Sequence, residues 1–178
     1  MHPTKWILLI INVIGGAAVL GSYVLGLRAH PNGTDALWGG VPQAIRPFYG
    51  IWMLFAAAGY FAFTLFLLLG VDANTARVAQ WIDITIFNVL YAAILVPSAL
   101  WMPLTFAFAG NPSGSLWLAV RLVLWIVGLA SLALIIALLA LQPRQPAWAY
   151  WLAVAGSVAF TIQTGLLDAI VWVTNFRL

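Results

Sequence analysis

The sequence predicts an all-α integral membrane protein, built as a bundle of five transmembrane helices. Of its 178 residues, 65% are hydrophobic and only 6% are charged, whereas a soluble domain carries about 25% charged residues. Five apolar runs are each long enough to cross a bilayer, which takes about 20 residues. Turn-forming residues separate the runs. The runs do not alternate polar and apolar side chains, as the strands of a membrane β-barrel do.

The five predicted helices follow one another closely, so the chain forms a single, multi-pass transmembrane domain over residues 1–178. They span about 6–27, 47–70, 82–108, 116–141 and 148–173. The run 6–27 is too long for the apolar part of a signal peptide, and no clear cleavage site follows it. We therefore interpret it as the first retained span. Basic residues are spread evenly between the two ends of the bundle, so the positive-inside rule gives no orientation.

Composition and motifs argue against several classes of function. The chain has no cysteine, which excludes disulfides and thiol chemistry. No metal-binding set, Ser/His/Asp arrangement, phosphate-binding loop or close carboxylate pair is found. The net charge of +3 is spread along the chain and does not indicate nucleic-acid binding. No catalytic or metal-binding residue is therefore predicted, and enzymatic activity would have to depend on a bound cofactor or on tryptophan photochemistry.

The fifth predicted helix carries an acidic residue, Asp168, inside an apolar run. An ionisable group in hydrocarbon is costly unless it has a partner or reaches water, so Asp168 is a candidate functional residue. Ser157, Thr161 and Thr164 precede it at steps of three and four residues. This spacing places all four on one helix face, which is expected to contact protein or a cavity.

Two arginines fall at about the membrane level of Asp168. Arg121 lies just inside the fourth predicted helix, and Arg46 lies at the mouth of the second. Equal depth predicts an ion pair between Asp168 and Arg121. The pair is either a structural link between helices or part of a polar lining for the head of an amphipathic ligand.

The third predicted helix contains two prolines, Pro97 and Pro103, which predict a kink. The kink either opens a cavity beside the polar face of the fifth helix or occurs without a pocket, as in membrane helices that bind no ligand. The first helix carries small residues at helical spacing, Gly15, Ala18, Ser22 and Gly26, which predict close packing against a neighbouring helix or a second copy.

The ten tryptophans fall into two groups. Six lie at predicted span ends, where indoles favour the headgroup region, namely Trp6, Trp81, Trp117, Trp148, Trp151 and Trp172. The other four are candidates for more than anchoring, namely Trp38, Trp52, Trp101 and Trp125.

Two short motifs resemble the translocator protein / tryptophan-rich sensory protein family (TspO/MBR, formerly the peripheral benzodiazepine receptor). Residues 98–106 match the Trp, Pro and Phe of that family's third-helix motif, and residues 167–175 are similar to its Leu-Asn-x-x-Ile-Trp-x-x-Asn motif. Gly15-Gly16 is similar to the start of the family's first helix. Residues 38–42 keep only part of its Trp-x-Pro-Pro signature, and Asp168 stands where the family usually has Asn.

The resemblance implies five membrane helices, a frequent homodimer, and a ligand pocket covered by the first loop, here residues 28–46. It also implies porphyrin or haem-type tetrapyrroles, sterols or synthetic aromatic compounds as ligands. Trp101, Pro103 and Asp168 would line the pocket and Trp38 would cover it. Together with the residues singled out above, the candidate ligand-binding residues are Trp38, Arg46, Trp52, Trp101, Pro103, Arg121, Thr164 and Asp168.

The sequence supports three functional hypotheses. The first is a membrane receptor or carrier that binds a hydrophobic ligand, such as a tetrapyrrole, sterol, isoprenoid or other lipid, inside the bundle. The second is a non-catalytic accessory subunit of a larger membrane complex, which holds pigments, lipids or partner helices. The third, a small transporter with Asp168 as its proton site, is weaker because neither an inverted repeat nor a broken helix in matching halves is visible.

Overall fold

The computed structural model describes residues 2–31 and 33–176, and its architecture is predominantly helical. Five helices are long and apolar enough to cross a membrane, in agreement with the five predicted runs. They are Pro3–Ala29, Gln43–Gly70, Ile86–Gly110, Gly114–Ala140 and Ala147–Asn175. Every helix end lies within four residues of its predicted position.

The long helices are divided into regular elements as follows. The α-helices are α1 Pro3–Ala29, α2 Thr34–Trp38, α3 Arg46–Leu65, α4 Ile86–Gly110, α5 Gly114–Ala140, α6 Ala147–Thr161 and α7 Val173–Asn175. A 3₁₀ turn, Gln43–Ile45, precedes α3, and a short π-helical stretch, Phe66–Gly70, continues it. The segment Ile162–Trp172, which joins α6 to α7, is also π-helical and is called here the π segment.

Each long helix packs mainly against one or two others. Helix α1 packs on α4, α4 on α5, α5 on both α6 and the π segment, and α6 on α3. Two of the small residues in α1 allow its close approach to α4, because Gly15 lies against Leu95 and Gly26 against Met102 and Phe106. The predicted packing role of these two glycines is confirmed. Helix α4 continues through Pro97 and Pro103 as a single helix.

Helices α3 and α6 meet at two glycines, Gly59 and Gly156. A Cβ added to Gly156 would lie 2.7 Å from the Cα of Gly59, and a Cβ added to Gly59 would strike the carbonyl group of Gly156. The obstacle on both sides is backbone, which cannot move aside as a side chain can. The crossing therefore depends on the absence of side chains at these two positions.

The loops at one end of the bundle form a small antiparallel sheet in the order β2-β1-β3. Its strands are β1 Arg77–Val78, β2 Ile82–Asp83 and β3 Leu141–Gln142. The predicted start of the third long helix at residue 82 was wrong, since Ile82 and Asp83 pair with β1 and the helix begins at Ile86.

Two exposed carboxylates organise this loop region. Asp72 accepts hydrogen bonds from the backbone N–H of Asn74 at 3.0 Å and from the Thr75 hydroxyl at 3.1 Å. Asp83 accepts from the backbone N–H of Thr85 at 2.8 Å and from its hydroxyl. These bonds, led by the Asn74 N–H for Asp72 and the Thr85 hydroxyl for Asp83, hold the pKa of both carboxyls below the ordinary value of 3.8.

We expect the protein to lose stability when the pH falls below about 4, because a lowered folded-state pKa gives stability that is present above the unfolded pKa and lost below the folded one. The measurement is the melting temperature in detergent between pH 7 and pH 2.5. The double variant Asp72→Asn/Asp83→Asn is expected to show a smaller decline than the wild type. Identical pH profiles for the two proteins would contradict the assignment.

Candidate functional site

The π segment brings two polar side chains together inside the last long helix. The Gln163 amide nitrogen donates a hydrogen bond to the Asp168 carboxylate at 2.8 Å. Residues five apart do not stack on an α-helix, whose turn holds 3.6 residues, but the wider π-helical turn aligns residue i with residue i+5. We call Gln163 and Asp168 the polar pair. Gln163 is buried and Asp168 is partly buried.

The predicted ion pair between Asp168 and Arg121 is not formed. Within residues 2–31 and 33–176, the one salt bridge joins Arg46 to Asp35 at 3.3 Å. Arg121 is exposed on the outside of α5, together with its neighbours Leu118 and Leu122. The prediction rested on an equal depth of the two residues along the bundle axis. Depth alone does not say towards which side of a helix a side chain points.

Five aromatic rings pack together beside the polar pair, and we call them the aromatic cluster. They are Trp101, Phe108, Trp117, Trp172 and Phe176. The Trp172 ring centroid lies 4.4 Å from that of Phe176, 5.7 Å from Trp101 and 6.2 Å from Trp117. The ring of Phe108 stacks on that of Trp117 with centroids 5.2 Å apart. The cluster joins α4, α5 and the end of the last helix in a single contact network.

The first loop covers this cluster. The Trp172 indole N–H donates to the carbonyl of Leu37 at 2.8 Å, and Val41 is fully buried. Gly39 adopts a left-handed φ of +52°, and a Cβ at this position would lie 2.5 Å from the Phe176 ring. A glycine is therefore required here for both conformation and space.

Two of the predicted site residues hold the loop in place. The Trp38 ring meets the Tyr49 ring edge-on, with centroids 5.7 Å apart. Arg46 lies over the Trp38 ring at 5.4 Å, and its Nε donates to the carbonyl of Val41 at 3.2 Å. Its bond to Asp35 is on the surface, where an ion pair contributes little to stability. Trp38 and Arg46 thus hold the first loop over the aromatic cluster.

Tyrosines from two other helices contact the π segment and the aromatic cluster. The Tyr49 hydroxyl donates to the Leu167 carbonyl at 2.7 Å. The Tyr23 ring meets the Trp101 ring with centroids 6.0 Å apart. Tyr49 therefore contacts the residue before Asp168, and Tyr23 contacts a ring of the aromatic cluster.

Among the described residues, four buried side-chain atoms have no hydrogen-bond partner, and two of the four, Asn88 Oδ1 and Tyr150 OH, lie outside the polar pair and the aromatic cluster. The other two belong to the aromatic cluster and to the polar pair. They are the indole nitrogen of Trp101, a donor, and the side-chain oxygen of Gln163, an acceptor. Because the Gln163 nitrogen faces the acceptor-only carboxylate, its oxygen is directed elsewhere. Buried polar groups in native proteins nearly always have a partner, so each such atom needs an explanation.

Four other predicted residues lie away from this arrangement or are already satisfied. The Trp52 indole donates to the Ala159 carbonyl at 3.0 Å and so joins α3 to α6. The Thr164 hydroxyl bonds to the Ser131 hydroxyl at 2.9 Å and links the π segment to α5. Pro103 and Arg121 are exposed on the outside of the bundle.

The tryptophans are only partly distributed as predicted. Trp6, Trp81, Trp148 and Trp151 are exposed, as expected of residues at span ends. Trp172 is buried and Trp117 is partly buried in the aromatic cluster, so their prediction as anchors was wrong. A helix end that is covered by a loop gives an indole a protein partner in place of the headgroup region.

A groove of about 350 Å³ lies on the outside of the bundle, between α5, α6 and the π segment. Trp125, Leu129 and Ile170 line it, and Gly128 approaches Gly165 at its floor. None of the eight predicted binding residues lines this groove. It is therefore separate from the site around the polar pair.

Sequence reasoning missed Gln163, Tyr23 and Tyr49. For Gln163 a signal existed, since a glutamine within an apolar run carries the same expectation of a polar partner as an aspartate does. Tyrosines at helix ends are common at membrane interfaces, so Tyr23 and Tyr49 gave no distinctive signal.

The site is suited to binding through an apolar surface and a few directed polar groups. It offers one free donor, one free acceptor and a carboxylate against aromatic walls. In the part of the chain that the structure describes, no three His, Cys, Asp or Glu residues group together to hold a metal ion. No protein-family model, curated protein or solved structure matches the chain.

Proposed function

We propose that the protein is a multi-pass integral membrane protein that binds a hydrophobic small molecule inside its helix bundle, as a receptor or carrier. The binding site consists of the polar pair and the aromatic cluster, under the part of the first loop that runs from residue 34 to residue 46. Five helices of sufficient length and hydropathy support the membrane location. Relatedness to the translocator family stays a prediction, since no family model matches the chain.

The observation that carries this proposal is the pair of unpartnered polar atoms, Trp101 Nε1 and Gln163 Oε1. In an apolar interior such atoms are costly, because no water replaces the missing bond. A bound molecule with a few polar groups would satisfy both. Pockets for small molecules combine apolar and aromatic walls with a small number of such directed groups.

The loop is well placed to control entry of the ligand. Aromatic side chains fill the space beside the polar pair, so a ligand needs room that rearrangement of these rings and the loop would provide. The contacts that hold the loop are the Trp172–Leu37 hydrogen bond and the Trp38–Tyr49 ring contact. Tetrapyrroles, sterols and isoprenoids have apolar bodies that fit an aromatic wall.

Titration of the purified protein with protoporphyrin, cholesterol or farnesol is expected to change its tryptophan fluorescence saturably for at least one of them. Because the Trp101 ring lies at the site, Trp101→Phe is expected to weaken this binding by about tenfold, the effect of losing one well-placed hydrogen bond in a dry site.

The matched control is Trp81→Phe, which changes an exposed indole in the loops of the small sheet. It is expected to lower the total fluorescence and leave the affinity unchanged. Absence of saturable binding for all three ligands, or equal affinities in the Trp101 and Trp81 variants, would contradict the proposed site.

A second candidate function, an accessory subunit or homodimer, is favoured by the exposure of α1. Only 6% of its most apolar window is buried by the rest of the bundle, against 33–50% for the other long helices. Its glycines Gly16 and Gly21 have no atom within 4 Å of an added Cβ. Stoichiometric co-purification of a partner, or a dimer abolished by Gly16→Leu, would support this function.

A further inference from the structure

The Asp168 carboxylate lies within a helix that is long and apolar enough to span a membrane, without a cation beside it. Its described hydrogen bond comes from the neutral Gln163 amide, and no Lys, Arg or His among residues 2–31 and 33–176 lies within salt-bridge distance of it. Arg121, the cation that the sequence suggested as its partner, is exposed on α5. A carboxylate in this position is compensated poorly by the protein itself.

A second acceptor stands next to this carboxylate. The Gln163 side-chain oxygen belongs to a residue that is 95% buried, and it has no hydrogen-bond partner within residues 2–31 and 33–176. Since one N–H of the amide is already donated to Asp168, the polar pair presents the amide oxygen and the carboxylate oxygens as acceptors, with one amide N–H remaining. This combination matches a group that carries a positive charge and more than one N–H.

Aromatic side chains from separate helices pack near the part of the π segment that carries Asp168. Tyr23 from α1 contacts Trp101 from α4, and Tyr49 from α3 bonds to the backbone carbonyl of Leu167, the residue before Asp168. The electron-rich faces of tyrosine and tryptophan attract cations, and most strongly where water is excluded. A carboxylate, a free carbonyl oxygen and aromatic rings together are the elements of a site for an organic cation.

We propose that the ligand is an apolar molecule that carries a protonated amine, with the ammonium group bound by Asp168 and Gln163 and the apolar body against the aromatic cluster. This inference rests on the proposed binding function and narrows its ligand class. It disfavours ligands whose only polar groups are carboxylates, since these would approach Asp168 with like charge.

Two isoprenoids that differ only in the polar group test the inference, namely farnesylamine and farnesol. Binding of each to the full chain is measured in detergent micelles by native mass spectrometry and tryptophan fluorescence. We expect the wild type to bind the amine at least about tenfold more tightly than the alcohol, as a charge-assisted hydrogen bond gives. Asp168→Asn is expected to weaken amine binding by at least about tenfold and so to remove this preference.

Controls separate the roles of charge and fold. Arg121→Gln removes an exposed positive charge on α5 and is expected to keep the preference for the amine. A circular-dichroism spectrum and a gel-filtration profile that match those of the wild type show that the Asp168 variant is folded, and the comparison of the two ligands on the wild type needs no variant at all.

Equal binding of amine and alcohol to the wild type would overturn the amine inference and leave the proposed function standing. A preference that survives in Asp168→Asn would overturn the assignment to this carboxylate. Binding of neither isoprenoid would also overturn the inference, and the proposed function would then be decided by the separate titrations with protoporphyrin and cholesterol.

Discussion

Gly59→Leu is expected to lower the free energy of unfolding by about 3 kcal/mol, the upper range for overpacking a tight contact. The backbones of Gly59 and Gly156 touch where α3 crosses α6, so a side chain at either position forces the two helices apart. Association of membrane helices depends on such close packing, since lipid gives little hydrophobic driving force between them. The measurement is helicity by circular dichroism during titration with a denaturing detergent.

Gly50→Leu is the matched control, because it makes the same change in the same helix. In the described part of the chain, no atom lies within 4 Å of a Cβ added to Gly50, apart from those of its own helix backbone and chain neighbours. Its effect is expected to stay within about 0.5 kcal/mol, as for other substitutions that meet open space. Equal losses in the two variants would show that a glycine in α3 matters for helix conformation and not for the crossing.

Trp172→Ala is expected to cost about 3–5 kcal/mol, the range for removing a large buried aromatic side chain. Trp172 contacts Trp101, Trp117 and Phe176, and its indole N–H holds the first loop through Leu37. The substitution removes the centre of the aromatic cluster and also the hydrogen bond that holds the first loop. Thermal unfolding in detergent measures the change.

Two further variants separate the contributions of packing and of the hydrogen bond to Leu37 from the effect of removing any indole. Trp172→Phe keeps much of the packing and removes the bond to Leu37, so we expect a loss of about 1 kcal/mol, the contribution of a typical hydrogen bond. Trp148→Ala removes an indole that is 74% exposed and should change stability little. If Trp148→Ala were as destabilising as Trp172→Ala, the aromatic cluster would not be the reason for the loss.

The five long helices were predictable because apolar length is a local property of the chain. Each run had to exceed the thickness of a bilayer, and turn residues marked where it stopped. The strands β1, β2 and β3 could not be predicted in this way. They are two residues long, and β1 pairs with Leu141–Gln142 from a loop far along the chain.

The candidate site was predictable in part. Asp168 stood out as a charge in an apolar run, and Trp101 stood out by its depth and its motif. The structure places Asp168 beside Gln163, and it links Trp101 to the end of the same helix through Trp172. The expected partner Arg121 was wrong because both faces of α5 are apolar, so no periodicity indicated which side its arginine takes.

The orientation of the residues at the end of the π segment depends more on how many residues the segment contains than on which residues they are. One residue turns an α-helix by about 100°. Deleting a single residue between Gln163 and Asp168 would restore a narrower turn and rotate everything beyond it, including Trp172 and Phe176, away from the loop. One residue more or fewer in the π segment therefore separates the polar pair from the aromatic cluster, while the residues before Gln163 keep their register.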